Sequence, residues 1–380
     1  MQKFRIHTDE AILDDLNDRL ARTRWPDQLD GAGWDYGTEL GYLQELCEYW
    51  RTGFDWRAAE ARLNSWPQVI GEFDRQRVHA IHAVSPHPNA TPLLLMHGWP
   101  GSIIEFQDVI GPLVDPPAYG GDAADAFTVV CASLPGYTWS GPTTERGCDV
   151  RRVAGAMVQL MSALGYEKFG AQGGDWGGLI GAALGAYHAD HLIGLHLNLV
   201  PATPPENPAA TENLTPKELA AMAEFSAFSK SETGYSAIQG TKPQTLSYGL
   251  TDSPAGLAGW IVEKFRTWSD CDGDVERAFS RDHLLTNITA YWVTGTINSS
   301  TRLYYESMTA GTFGAPDRKI TAPTGVAIFP REMMRPPRAW VERLYDLRHW
   351  TEQPRGGHFA AMEQPELFVA DVRAFFATLR

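Results

Sequence analysis

The sequence is poor in cysteine, with four among its 380 residues, and no two of them form a CxxC pair. They are Cys47, Cys131, Cys148 and Cys271. Cysteines this far apart indicate neither a disulfide framework nor a zinc-binding motif. We therefore expect no metal site, and no other pattern in the chain calls for a cofactor.

Long apolar runs and excess positive charge are also missing. No stretch of about eighteen apolar residues occurs, so we expect no membrane-spanning helix. The formal net charge of −14 disfavours nucleic acid and anionic membranes as partners, because both attract basic patches. The first 25 residues lack the apolar core of a secretory signal, which predicts a cytoplasmic protein. Only seven of the 32 basic residues are lysine, and this arginine bias favours a bacterial source.

Hydrophobic residues nevertheless make up 43% of the chain, and short apolar segments alternate with segments of helical period. The apolar segments lie at 92–96, 127–137, 168–172 and 192–200. Strands that are apolar throughout, with helices between them, predict a mostly parallel α/β sheet that is covered on both faces. The strand pattern resumes at 322–330 and 348–353, after a proline-rich connection at 201–216 and a helical stretch that ends near 309.

This order predicts a sheet domain that is interrupted by a helical cap. The cap is expected over the carboxyl ends of the strands, where α/β sheets bind ligands. The chain before the first apolar segment has helices and loops, with an edge strand at 75–86. The expected division is 1–90 for the N-terminal domain, 91–200 and 310–380 for the sheet domain, and 201–309 for the cap.

A glycine-rich turn follows the segment at 168–172 and reads Gly173-Gly174-Asp175-Trp176-Gly177. Small residues two positions either side of Asp175 have the form of a nucleophile elbow, since bulkier ones would collide in so sharp a turn. The helix that follows favours an ionised carboxylate at its N-terminus. The glycines fit neither a Walker loop nor a GxGxxG fingerprint, and the chain has no YxxxK pair. A plain helix cap remains the alternative for Asp175.

Two further segments agree with a nucleophile elbow. The sequence HGWPGS at 97–102 follows an early strand, so the backbone N–H groups of Trp99 and Trp176 are the expected oxyanion donors. His358 lies on a Gly-Gly loop before the last helix, where the base is expected, and Glu332 follows a late strand, where the acid is expected. Other candidates for the acid are Glu342 and Asp346, in an expected surface helix, and Glu352, in the last strand.

Together these stretches resemble the microsomal-type epoxide hydrolases of the α/β-hydrolase superfamily, which include the juvenile hormone epoxide hydrolases. The resemblance covers nearly the whole chain, including the segments DWRAAEARLNSWPQ, HGWPGSIIEF, GGDWGG, FPREMM and RGGHFAAMEQP. It implies the α/β-hydrolase fold with an inserted helical cap and an N-terminal helical or meander extension. It also implies that an epoxide and water are converted to a vicinal diol through a covalent ester on an aspartate.

The resemblance assigns roles to individual residues. Asp175 matches the nucleophile, His358 the base and Glu332 the acid that orients it. Two cap tyrosines that donate hydrogen bonds to the epoxide oxygen fall on Tyr235 and Tyr304, with Tyr305 adjacent to the second. The resemblance further suggests a homodimer and a role in detoxification or secondary metabolism.

Two other functions remain open at this point. Haloalkane dehalogenases also combine an aspartate elbow with a similar loop, although they lack the paired cap tyrosines and the long N-terminal domain. A catalytically silent ligand-binding relative would usually have lost one of the catalytic residues. Aromatic residues near the motifs favour an apolar epoxide, aryl epoxides among them, and packing in the core remains the alternative for each tryptophan. The pocket candidates are Trp99, Trp139, Trp176, Trp292 and Tyr305.

Overall fold

The computed structural model of the protein describes residues 1–205 and 214–380. In these residues nine strands form one sheet, in the order β1-β2-β3-β5-β4-β6-β7-β8-β9. The strands are β1 (Gln2–Phe4), β2 (Gln68–Phe73), β3 (Gln76–Ala83), β4 (Thr91–Met96), β5 (Phe127–Ala132), β6 (Phe169–Gly173), β7 (Leu192–Leu197), β8 (Ile320–Ile328) and β9 (Tyr345–Glu352). Strands β4 to β9 pair in parallel, which confirms the predicted mostly parallel sheet.

Helices cover this sheet and fill the interval between β7 and β8. Those outside that interval are α1 (Glu10–Ala21), α2 (Leu40–Thr52), α3 (Trp56–Leu63), α4 (Gln107–Val114), α5 (Val150–Ala163), α6 (Asp175–Tyr187), α13 (Arg338–Leu344), α14 (Ala360–Glu363) and α15 (Pro365–Ala377). The interval itself holds α7 (Pro216–Ser231), α8 (Gly234–Thr241), α9 (Pro243–Asp252), α10 (Pro254–Trp268), α11 (Arg281–Thr294) and α12 (Ile297–Thr309). These six helices are the cap, and part of the expected proline-rich connection before them lies outside the described residues.

The core lies on both faces of the central strands. Every residue of β5 is buried, as are the last four residues of β4. Such strands show no alternation of buried and exposed residues, because helices pack on both sides. Within the described part of the chain, no helix combines the length and the apolar character that crossing a bilayer requires.

The N-terminal segment joins the same sheet, and here the sequence-based prediction was wrong. The strand expected at the edge, β3, is interior, because it pairs antiparallel with β5 on one side and β2 on the other. The pairing of β1 with β2 extends the sheet by one three-residue strand. A strand this short presents few unpaired backbone groups to solvent, which protects the sheet from pairing with other chains.

The same segment also contacts the cap. The Thr38 hydroxyl donates a 2.7 Å hydrogen bond to the carbonyl oxygen of Gly259 in α10. Arg19 of α1 forms a 2.7 Å ion pair with Asp252 at the end of α9. The N-terminal segment therefore bonds to two cap helices while its strands belong to the sheet.

Candidate active site

Asp175 occupies a sharp turn between β6 and α6. Its φ angle is +49°, a left-handed conformation that is uncommon for residues other than glycine. A Cβ atom at Gly173 would overlap the carbonyl group of Gly177, and one at Gly177 would overlap that of Met96. The absence of side chains at these two positions therefore lets the turn close and present the aspartate at the end of the strand.

The two carboxylate oxygens of Asp175 have different partners. Oδ1 accepts a 2.8 Å hydrogen bond from the backbone N–H of Trp99, in the loop after β4. Oδ2 lies 3.4 Å from Nε2 of His358, in the loop after β9. Trp176 lies in the first turn of α6, where a backbone N–H group has no acceptor within the helix. Of the two expected oxyanion donors, the N–H of Trp99 thus bonds to the carboxylate, and the N–H of Trp176 belongs to the next residue of the chain.

Glu332 completes a chain of three side chains. It follows β8, and its two carboxylate oxygens lie 2.9 and 3.0 Å from Nδ1 of His358. Both side chains are buried. Burial alone would lower the pKa of His358, but the carboxylates of Glu332 and Asp175 outweigh it and hold the pKa well above 6.5. The imidazole is therefore a cation between two carboxylates while Asp175 is ionised.

The other acids that the sequence left open lie elsewhere. Glu342 is in α13, where it pairs with Arg338. Asp346 belongs to β9 rather than to the expected surface helix, and Glu352, at the end of the same strand, pairs with Lys217. None of the three has a hydrogen bond or ion pair with His358 in the described part of the chain.

The two cap tyrosines lie together over the elbow. Tyr235 of α8 and Tyr304 of α12 have ring centroids 5.9 Å apart and nearly perpendicular planes. Tyr235 stacks on Trp99 at 5.2 Å, and Tyr304 packs edge-on against Trp176 at 4.6 Å. Tyr305 is 41% exposed and faces away. Burial above all, and also the nearby Asp175 carboxylate, raises the pKa of both cap tyrosines, so their hydroxyl groups remain protonated donors.

Besides Tyr305, two other pocket candidates are not brought to this place. The ring of Trp139 packs against His79 of β3, with centroids 5.7 Å apart. Trp292 faces the N-terminal segment, where the guanidinium group of Arg19 lies 5.9 Å from its ring.

Trp268, at the end of α10, lies in the site although no sequence motif indicated it. Its ring centroid is 5.1 Å from those of both His358 and Tyr235. Aromatic rings from the core and the cap therefore enclose the carboxylate of Asp175.

A cavity of about 860 Å³ opens beside this group of rings. Its lining includes Tyr235 and Glu332, and also Trp34, Trp260 and Met333 from the N-terminal segment, the cap and the core. The cavity thus reaches one of the two cap tyrosines, Tyr235.

Comparisons with known proteins show the family of the chain. The family described as epoxide hydrolase N terminus matches residues 1–106, and the α/β hydrolase fold family matches residues 91–253. The chain is 46% identical over 378 residues to a putative epoxide hydrolase of Stigmatella aurantiaca, covering 99% of this chain and 85% of the relative. It is 36% identical over 406 residues to epoxide hydrolase 1 of Sus scrofa, covering 100% and 89%.

Solved structures show the same likeness. The juvenile hormone epoxide hydrolase of the silkworm Bombyx mori superposes with a TM-score of 0.90 at 30% identity, covering 100% of this chain and 94% of that structure. The epoxide hydrolase of Aspergillus niger gives a TM-score of 0.89 at 30% identity, with coverage of 100% and 96%.

Proposed function

The chain belongs to the epoxide hydrolases of the α/β-hydrolase fold and catalyses hydrolysis of an epoxide, and from that premise we propose that its reaction passes through a covalent ester on Asp175. The observation that carries this proposal is the position of the carboxylate. It lies at the turn after β6, between the backbone N–H of Trp99 and the imidazole of His358. A positioned carboxylate is a nucleophile that needs no base to activate it.

In the first step, one oxygen of Asp175 attacks an epoxide carbon and forms a new C–O bond. The ring C–O bond breaks, and negative charge develops on the epoxide oxygen. The hydroxyl groups of Tyr235 and Tyr304 donate hydrogen bonds to that oxygen and stabilise the charge where it appears. The oxygen then takes the proton of one tyrosine hydroxyl group, solvent returns a proton to that tyrosine, and a hydroxyalkyl ester is left on Asp175.

In the second step, water hydrolyses the ester. Ester formation removes the charge of Asp175, which is one of the two carboxylates that keep the pKa of His358 high. The imidazolium then releases its proton to solvent more easily, and the neutral imidazole accepts one from the hydrolytic water. The oxygen of that water attacks the ester carbonyl carbon, and the N–H groups of Trp99 and Trp176 bind the resulting oxyanion. The ester C–O bond then breaks, and the departing diol oxygen takes the proton held by His358. The new carboxylic acid of Asp175 gives its proton to the imidazole, which restores the carboxylate and the imidazolium.

Isotope labelling in a single turnover tests this route. With enzyme in excess over styrene oxide in H₂¹⁸O, the new hydroxyl oxygen of the diol comes from Asp175 and is unlabelled, whereas the label enters the aspartate. Mass spectrometry of the diol and of the peptide that contains Asp175 measures both. A labelled diol and an unlabelled peptide would show direct attack of water on the epoxide.

We also propose apolar epoxides, aryl epoxides among them, as substrates. Four aromatic rings pack together at the site, with centroid distances of at most 6.3 Å between the rings in contact. They belong to Trp99, Tyr235, Trp268 and Tyr304. Aromatic walls favour an apolar ligand. We expect a higher kcat/KM for styrene oxide than for the small polar epoxide glycidol. The reverse order would contradict this substrate class.

The alternative activity, dehalogenation, is tested by halide release from a bromoalkane. The relatives described above are epoxide hydrolases and give it no support.

A further inference from the structure

A second, much smaller cavity lies beside Asp175. Its space is about 10 Å³, which is that of a single water-sized sphere. The residues around it include Gly98, Glu105, Asp175, Asn198 and His358. A water molecule in this place would have both the proposed nucleophile and the proposed base among its neighbours.

Glu105 is the residue in this wall that the proposed reaction does not use. It lies on a short helical turn, Ile103–Phe106, directly after the loop that carries Trp99. Its Oε1 atom is shielded from solvent and has no hydrogen-bond partner among the described residues. An unpaired buried oxygen costs about 1–3 kcal/mol, so its retention needs a reason.

The surroundings of Glu105 favour the protonated acid. Burial raises the pKa of Glu105 to about 8, and the Asp175 carboxylate raises it further, whereas His358 and the N–H of Gly98 lower it. A protonated carboxyl group has one O–H donor and also accepts hydrogen bonds. It is therefore suited to a neutral polar molecule such as water, and it adds no negative charge beside Asp175.

We propose that Glu105 is a positioning residue that holds the hydrolytic water in this cavity, between His358 and the carbonyl carbon of the Asp175 ester. This inference rests on the proposed covalent route. Glu105 forms no bond to the epoxide and takes no proton. It fixes the water so that His358 removes one proton while the water oxygen faces the ester carbon. Its contribution is therefore confined to ester hydrolysis, and ester formation does not depend on it.

Kinetics distinguish this role from a structural one. Glu105→Met keeps most of the side-chain volume but removes both hydrogen-bonding groups. We expect ester hydrolysis to slow by about 10- to 100-fold, in line with loss of one positioned polar group, and ester formation to stay within about threefold of wild type. Because only the later step slows, kcat and KM fall together and kcat/KM is kept. Glu105→Gln has a neutral amide with one donor and one acceptor group in the same place, so its hydrolysis rate should stay within about threefold of wild type.

The experiment is a rapid-quench single turnover with styrene oxide, in which intact-protein mass spectrometry follows the ester on the enzyme. Glu342→Met, an exposed glutamate of α13, is the matched control and should behave as wild type. If Glu105→Met hydrolyses its ester at the wild-type rate, or slows ester formation and hydrolysis equally, the inference is wrong. If Glu105→Met does not fold, Glu105→Asp is the second variant, because it moves the carboxyl group back by one methylene. Ester hydrolysis at the wild-type rate in Glu105→Asp would also mean that the inference is wrong.

A separate result would overturn the covalent route itself. If wild type produces diol but no ester is found in either wild type or His358→Gln, the proposed covalent route is wrong. The inference about Glu105 then fails with it. If the ester forms and only its hydrolysis is insensitive to Glu105, the proposed function stands and this inference alone is lost.

Discussion

The backbone nitrogen of Trp99 lies 2.8 Å from Oδ1 of Asp175, so the carboxylate already bonds to one of the two proposed oxyanion donors. The same donor would bind the charged oxygen during ester hydrolysis. Fixed donors that need no reorganisation contribute most when charge develops. This contact also leaves the other carboxylate oxygen, Oδ2, on the side of His358.

Replacing the proposed nucleophile should abolish the reaction. In Asp175→Ala we expect the rate of diol formation to fall by a factor of about 10⁴ or more, because no other group can form the ester. Diol production from styrene oxide, assayed by chromatography, measures the loss. Asp18→Ala, on the exposed face of α1, is the control and should retain full activity. More than 1% residual activity in Asp175→Ala would rule out this assignment.

Replacing the proposed base should separate the two steps. His358→Gln retains Asp175 and the tyrosines, so we expect one equivalent of substrate to be consumed and the ester to persist. Intact-protein mass spectrometry should show a mass increase equal to that of the epoxide. Steady turnover in this variant would mean that another group activates the water.

The cap tyrosines should share the stabilisation of the epoxide oxygen. We expect Tyr235→Phe and Tyr304→Phe each to lower kcat/KM by about 10²–10³, the usual effect of removing one donor from a developing anion. Tyr305→Phe provides an adjacent control on the exposed side of the same helix and should remain within about twofold of wild type. Equal effects at 304 and 305 would argue against the assignment.

Glycine at the elbow should be required for stability. A methyl group at Gly177 would overlap the carbonyl group of Met96, and we expect Gly177→Ala to lower the free energy of unfolding by about 1–3 kcal/mol. Gly249 is exposed within α9 and has open space around it, so Gly249→Ala should raise the same quantity by about 0.5–1 kcal/mol. Urea unfolding of both variants checks these opposite signs. A neutral Gly177→Ala would show that the turn can relax.

The charge on His358 should make stability depend on pH. Its pKa in the folded protein lies above the unfolded value of about 6.5, so its ion pairs stabilise fully below that value. This contribution is lost as the pH rises through the folded pKa. The difference in free energy of unfolding between wild type and His358→Gln should thus be largest near pH 6 and decrease towards about pH 9. A difference that is constant over this range would mean that the pKa of His358 is not raised.

The parts of the site that the sequence predicts depend on local geometry. The turn around Asp175 needs glycine at fixed offsets, and the order of nucleophile, acid and histidine follows from the order of strands. The helical spacing of the buried residues would also have distinguished Tyr304 from Tyr305. In α12, Ile297, Thr301 and Tyr304 recur at the spacing of one buried face, and Tyr305 is off that face.

The misplaced predictions share a physical cause. Residues 284–291 of α11 are buried on all sides of the helix, so helical spacing does not indicate which way Trp292 faces. Contacts between segments that are far apart in the chain leave no pattern in the local sequence. Trp268 reaches His358 only through the packing of the cap on the core, and β3 becomes interior only because β1 and β2 pair beyond it.

The bonds from Thr38 to Gly259 and from Arg19 to Asp252 affect how the enzyme could be recombined with its relatives. A lid grafted from another enzyme would lose both anchors, since their partners are encoded more than 200 positions upstream. Chimeras designed for new selectivity should therefore exchange two discontinuous pieces of the gene together, the first helices along with the lid.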